Sequence, residues 1–193
     1  VEMFNDGADI IDIGGESTRP GSLPVSAEEE INRVCPVIEK IIKEIPVTVS
    51  IDTTKSAVAE AAVNAGASII NDISGMTFDP GIIEIAAKND TGLVISHIKG
   101  KPRDMQNNTV YEDLTKDILD FLTANAENAC RKGVRRSNII IDPGIGFGKS
   151  LEQNYIIINE LQRFSQTGYP VLVGLSRKSL IGKLYKDDQD RLP

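Results

Sequence analysis

Three short polar side chains stand directly behind apolar runs: Asp52 after Val47–Ile51, Asn71 after Ser68-Ile69-Ile70, and Asp142 after Ile139–Ile141. A carboxylate at a strand end either caps the next helix or accepts hydrogen bonds from a ligand; for Asp52, with Thr53 and Thr54 beside it, both duties are open. As acceptors, the aspartates match an amidine-like N–H edge, and the asparagine adds a donor next to an acceptor. Together they suit a flat heterocycle with mixed edges.

Two glycine-rich segments flank these residues. In Gly14–Gly21, GGESTRPG, the paired glycines let the chain turn, and Glu16, Ser17, Thr18 and Arg19 then follow as consecutive polar groups before Pro20-Gly21 stops the segment. Asp142–Ser150, DPGIGFGKS, looks at first like a nucleotide loop. The spacing excludes it: a phosphate-binding GxxxxGK[ST] needs glycine where Pro143 stands, and the dinucleotide GxGxxG needs its third glycine where Lys149 stands. These glycines instead let the backbone pass close under a flat ligand. Arg177-Lys178-Ser179 follows another apolar run. Two cations at a helix start oppose the helix dipole, so an anion or carbonyl there explains them better than the helix does. His97 ends a strand-like run as the single histidine, and a lone histidine reads as structural before it reads as catalytic.

Six β-like runs position these groups: Ile10–Ile13, Val47–Ile51, Ser68–Ile73, Gly92–Ser96, Asn138–Asp142 and Val171–Gly174. Helical patterns alternate with them over Ser26 to about Pro46, Thr54–Ala65 closed by Gly66, Pro80–Lys88, Tyr111–Gly133, Leu151–Phe164 and Arg177–Tyr185, and Val1–Gly7 reads as the tail of another helix. Ser26 with Glu29 has capping-box spacing. Strands buried on both faces and alternating with helices form a parallel sheet. Nearly every strand carries its polar residue at its C-terminal end: Asp12, Asp52, Asn71 with Asp72, His97, Asp142 and Ser176. In a barrel those ends converge on one mouth, whereas an open sheet gathers ligand groups only at its switch point. The expected fold is therefore an α/β (β/α)8 barrel, with residues 1–193 as a single domain.

The net charge of −7 argues against a general nucleic-acid surface, although Arg19, Lys149, Arg177 and Lys178 supply local positive charge for an anionic ligand. There is no apolar run of membrane-spanning length and no secretory pattern at Val1–Gly7, so the expected location is cytoplasmic without membrane association. Cys35 and Cys130 read as reduced thiols rather than a disulfide.

Five blocks, in order, resemble the dihydropteroate synthase family: GGESTRPG at Gly14–Gly21, SIDTTK at Ser50–Lys55, INDISG at Ile70–Gly75, DPGIGFGK at Asp142–Lys149 and LSRKSLIG at Leu175–Gly182. The resemblance runs from about Gly7 to about Lys183. It implies condensation of 6-hydroxymethyl-7,8-dihydropterin diphosphate with 4-aminobenzoate to 7,8-dihydropteroate and diphosphate. Asp52, Asn71, Asp142 and Lys178 would hold the pterin; Thr18 and Arg19, on a mobile loop, would close over the aminobenzoate, with Phe147 and Lys178 walling its slot and Ser179 beside it. Thr18, Arg19 and Lys178 are the expected catalytic groups, and sulfonamides are expected in the aminobenzoate slot. Where many family members carry Met-His-Met, this chain has Ser96-His97-Ile98.

A complete barrel of this kind takes about 250 residues, and against the family the chain corresponds to units two through seven. The Mg2+-linked asparagine of the family's first strand and the anion clamp of its last lie outside this correspondence, so no metal ligand is expected here. The full-length parent, as a homodimer, is the expected active form. A methyltransferase domain acting on methyltetrahydrofolate shares the barrel and Asp52, Asn71 and Asp142, but gives no reason for the STRPG loop or the RKS cluster. A non-catalytic pterin-binding barrel is the alternative from another functional class.

Overall fold

Alternation along each strand builds the wall of this molecule. The computed structural model describes residues 1–19, 21–176 and Lys178. Five parallel strands, β1 (Ile10–Gly14), β2 (Thr48–Asp52), β3 (Ile69–Asp72), β4 (Gly92–Ser96) and β5 (Ile139–Asp142), lie side by side in sequence order. Because paired residues on parallel strands point the same way, the registers Gly14↔Asp52, Asp52↔Asn71, Asn71↔Val94 and Ser96↔Asp142 divide the sheet into two faces. One carries Val49, Ile51, Ile70, Leu93, Ile95, Ile139 and Ile141, each at most 1% exposed. The other carries Asp12, Ser50, Asp52, Asn71, Ser96 and Asp142.

Helices cover only the apolar face. They are α1 (Glu2–Asn5), α2 (Ala27–Glu44), α3 (Ser56–Ala65), α4 (Ile82–Asn89), α5 (Leu114–Arg131), α6 (Leu151–Asn159) and α7 (Leu161–Ser165). Val34 and Ile38 of α2, Val58 and Ala62 of α3, Ile82 of α4 and Leu122 of α5 pack with the strand isoleucines in one core. Each fully buried Ile or Leu contributes about 1.5–3 kcal/mol of transfer free energy, so this layer holds the wall together. Every crossover steps to the next neighbour in the same sense, with no reversal of strand order. That progression belongs to a closed barrel rather than to a doubly wound sheet, and the sheet is part of the wall of a (β/α)8 barrel.

The sixth predicted strand, Val171–Gly174, is reduced to a bridge: Val171 pairs with Ile141, fixed by Ile141 N–H to Pro170 O and Leu172 N–H to Ile141 O, both 2.9 Å. Burial on both faces fails for β1, whose Ile10 is 48% exposed; it pairs only with β2 among the described residues. The predicted Leu151–Phe164 helix breaks at Glu160 into α6 and α7. The Ser26 box is half made. Ser26 Oγ accepts Glu29 N–H, but the Glu29 carboxylate turns to Arg33 at 3.0 Å. The complete box is Ser150 with Gln153 at the start of α6. Cys35 and Cys130 are free thiols. No helix of the described residues is long and apolar enough to cross a membrane.

Candidate active site

The polar face ends in a mouth formed by the strand C-termini. Asp52 and Asn71 are direct register partners, and Asn71 Nδ2 donates to Asp12 Oδ2 at 3.1 Å, so Asn71 Oδ1 remains as an acceptor. Asp52 keeps a buried oxygen, Oδ1, with no hydrogen-bond partner among the described residues. Burial, then repulsion from Asp12, Asp72, Glu30 and Glu16, pushes its pKa to about 8. A buried acceptor left open in this way is built for a donor from outside the chain.

Neighbours perform the capping duties that competed for these residues. Thr53 Oγ1 accepts Lys55 N–H at 3.3 Å, and Asp79 Oδ2 accepts the Ser56 N–H that opens α3 at 2.7 Å. Asp72 accepts Ser74 and Met76 N–H at 2.8 and 2.7 Å. Burial raises Asp72 to about 6, partly offset by those bonds. Asp52 and Asn71 are thereby left for the mouth.

Asp142 combines both readings. Its Oδ1 accepts Gly144 N–H at 2.7 Å, stapling its own loop, while Oδ2 has among the described residues a 3.5 Å contact with Ser96 Oγ. Burial raises its pKa, against the pull of Gly144 N–H and of the Lys178 and Lys149 cations. Lys178 Nζ donates to Ile145 O and stands 4.8 Å from the centre of the Phe147 ring, whose other contacts are Ile73, Ile98 and Met105. Burial pulls the Lys178 pKa down, against the attraction of Asp142. Arg177 and Ser179 lie outside the described residues.

Lys149 is not a ligand-facing cation. It is 2% exposed, and Nζ reaches His97 Nδ1 at 2.9 Å, His97 O at 3.2 Å, Gly144 O at 2.9 Å and Phe147 O at 3.0 Å. Burial lowers its pKa to about 7. His97 is structural: its Nδ1 faces Lys149, its ring meets Phe121 edge-on at 5.0 Å, and burial followed by the Lys149 charge depresses its pKa to about 3. Two glycines of this segment approach neighbouring backbone closely. A Cβ on Gly144, at φ +70°, would lie 1.9 Å from His97 O, and one on Gly148 would lie 2.5 Å from Lys99 O.

Beside the mouth, a cavity of about 550 Å3 opens over Asp52, bounded by Thr18, Lys55, Phe78, Lys101 and Arg103. Thr18 lines it, whereas Arg19 is exposed, with its N–H 3.4 Å from Ser17 Oγ. Sequence reasoning passed over Lys55, Lys101 and Arg103. The last two were legible as the basic run KGKPR behind the fourth strand, but nothing local marks Lys55. Among the described residues, no group of three His, Cys, Asp or Glu side chains could hold a metal ion.

The strand ends gather carboxylates, an amide and a lysine around one mouth, the end at which a barrel of this class places its ligand site. Residues 1–193 match the family described as pterin binding enzyme, and the chain belongs to that family. It is 50% identical over 183 residues to the dihydropteroate synthase of Bacillus subtilis, covering 95% of this chain and 62% of that protein. The chain thus spans less than two thirds of that relative. Its fold superposes on a Yersinia pestis dihydropteroate synthase in complex with a sulfonamide drug, with a TM-score of 0.93, 41% identity, and coverage of 96% of this chain and 67% of that one. For a Xanthomonas albilineans dihydropteroate synthase with 4-aminobenzoic acid the values are 0.90, 40%, 97% and 66%.

Proposed function

We propose that this chain carries pterin-binding and aminobenzoate-binding residues of a dihydropteroate synthase. The observation that supports this best is the unpartnered Asp52 Oδ1 beside Asn71, with Asp142 on the same sheet face. Asp142, fixed by Gly144 N–H, receives the amidine-like edge of the pterin; Asp52 and Asn71 take its other edge. Lys178, over the Phe147 ring, closes the side toward the second substrate. The exocyclic C–O bond breaks, diphosphate leaves with the electron pair, and the aminobenzoate nitrogen attacks the carbon and then loses a proton to solvent. The Asp142 carboxylate favours the cation that develops at that carbon, and Arg19 and Lys178 meet the negative charge of the substrates. No covalent enzyme intermediate is required. Mg2+ with the departing diphosphate, a homodimeric assembly and a cytoplasmic location go with this reading.

Two measurements test it. Diphosphate release should depend on added 4-aminobenzoate and yield dihydropteroate; pterin binding without product would favour the non-catalytic alternative. Asp142→Asn removes a charge-assisted contact and should weaken pterin binding by roughly 1.5–3 kcal/mol, about 10- to 150-fold, in calorimetry. Unchanged affinity would remove Asp142 from the site.

A further inference from the structure

Lys55 is the meeting point of three segments that are distant in the chain. Its Nζ lies 2.6 Å from Glu16 Oε2, at the start of the loop after β1, and 2.5 Å from Glu30 Oε2 on α2. Glu30 has a side chain only 1% exposed, and its Oε1 is buried with no hydrogen-bond partner among the described residues. Glu16 Oε2 also accepts Val25 N–H at 2.8 Å, so this one carboxylate ties together the two ends of the segment 16–25. The segment is seated on α2 as well. A Cβ on Gly15 would lie 2.8 Å from Glu30 Cγ, and Arg33 Nη1 donates to Gly15 O at 2.9 Å. Burial alone would lower the pKa of Lys55, but the bonds to Glu16 and Glu30 outweigh it and raise it above the ordinary lysine value.

Lys55 stands three residues after Asp52, at the residue that precedes α3. The cation that neutralises Glu16 and Glu30 is therefore fixed to the strand end that holds Asp52. We infer that Lys55 is a positioning residue, a latch that registers the loop bearing Thr18 and Arg19 against the pterin-facing end of β2. The inference rests on the function proposed above only in what it says about the second substrate; the latch itself is a statement about Glu16, Glu30 and Lys55. Without the lysine, the buried Glu30 carboxylate loses its one partner among the described residues, and the loop loses its tie to β2.

The test is hydrogen exchange of the Val25 amide together with steady-state kinetics, on the full-length parent protein, unsubstituted and as Lys55→Met, Lys55→Arg and Glu16→Ala. Glu16→Ala cuts the loop side of the latch and leaves the Lys55–Glu30 pair, so it serves if Lys55→Met does not fold. The latch predicts faster exchange at Val25 in Lys55→Met and Glu16→Ala. It also predicts a KM for 4-aminobenzoate raised about tenfold or more, a smaller change for the pterin substrate, and substantial recovery of both readouts in Lys55→Arg. Unchanged Val25 exchange in folded Lys55→Met overturns the latch, as does an unchanged KM for aminobenzoate in Glu16→Ala where Lys55→Met does not fold. Faster exchange with an unaltered KM for aminobenzoate overturns its role in placing the loop for the second substrate. Absence of condensation in the unsubstituted full-length parent counts against the proposed function, and Val25 exchange then decides the latch alone.

Discussion

With four acceptors within 3.2 Å of its Nζ, Lys149 closes the loop that runs from Asp142 to Phe147 and ties it to the backbone of His97. Methionine is of similar length and fills the same volume, so Lys149→Met removes the donors and little else. It leaves buried carbonyls and an imidazole nitrogen short of a partner, each at a cost of about 1–3 kcal/mol if nothing replaces the bond. The expected loss of stability is on the order of 3 kcal/mol, read as a lower urea midpoint with the slope unchanged. A lysine beside an aspartate in a glycine-rich loop reads from sequence as a ligand cation. Only the fold, which brings His97 to it from 52 residues away, gives it a different task. Lys55 escaped for the same reason: its partners Glu16 and Glu30 lie 39 and 25 residues off, and no spacing rule spans such distances.

At the level of elements, local patterns located what local forces decide. β4 has the predicted ends, and α3 closes at Gly66 with φ +118° as the Gly signal requires. Helix ends moved where a tertiary partner outbid the local one, as at Ser56, capped from Asp79 rather than from Thr54. The Ser150–Gln153 box was readable in S-L-E-Q but lay hidden behind the glycine motif. Gly144 shows the opposite case, a residue type that was legible and a reason that was not. Its backbone must pass against His97 O, so Gly144→Ala forces the loop after β5 away from the loop after β4. It should cost roughly 3 kcal/mol or more in thermal or urea unfolding, through overpacking plus the positive φ. Gly7→Ala, at φ +101° with open space around it, carries the conformational penalty alone and should cost only about 1 kcal/mol.

For the molecule as a whole, the mouth is a charge cluster that folding must tolerate. Asp52 holds its proton up to about pH 8 in the fold, while its ordinary value is 3.8. Between those values the native state binds a proton that the unfolded chain has released, so this residue's contribution falls as pH rises through that window. Asp52→Asn has no such titration. The variant should gain thermal stability over the parent from pH 4 to pH 8, by about 3 °C or more at the upper end, while losing pterin affinity. His97 and Lys149, whose pKa values burial depresses, drive stability the other way in both proteins and so drop out of the difference. A difference in melting temperature that stays flat with pH would show that Asp52 ionises normally. The division of each strand into a polar and an apolar face has one more consequence. Sliding β2 by a single position would turn Val49 and Ile51 into the cavity and drive Ser50 and Asp52 into the helices. Misalignment would thus be penalised twice over, and the groups that serve the ligand also proofread the assembly of the wall.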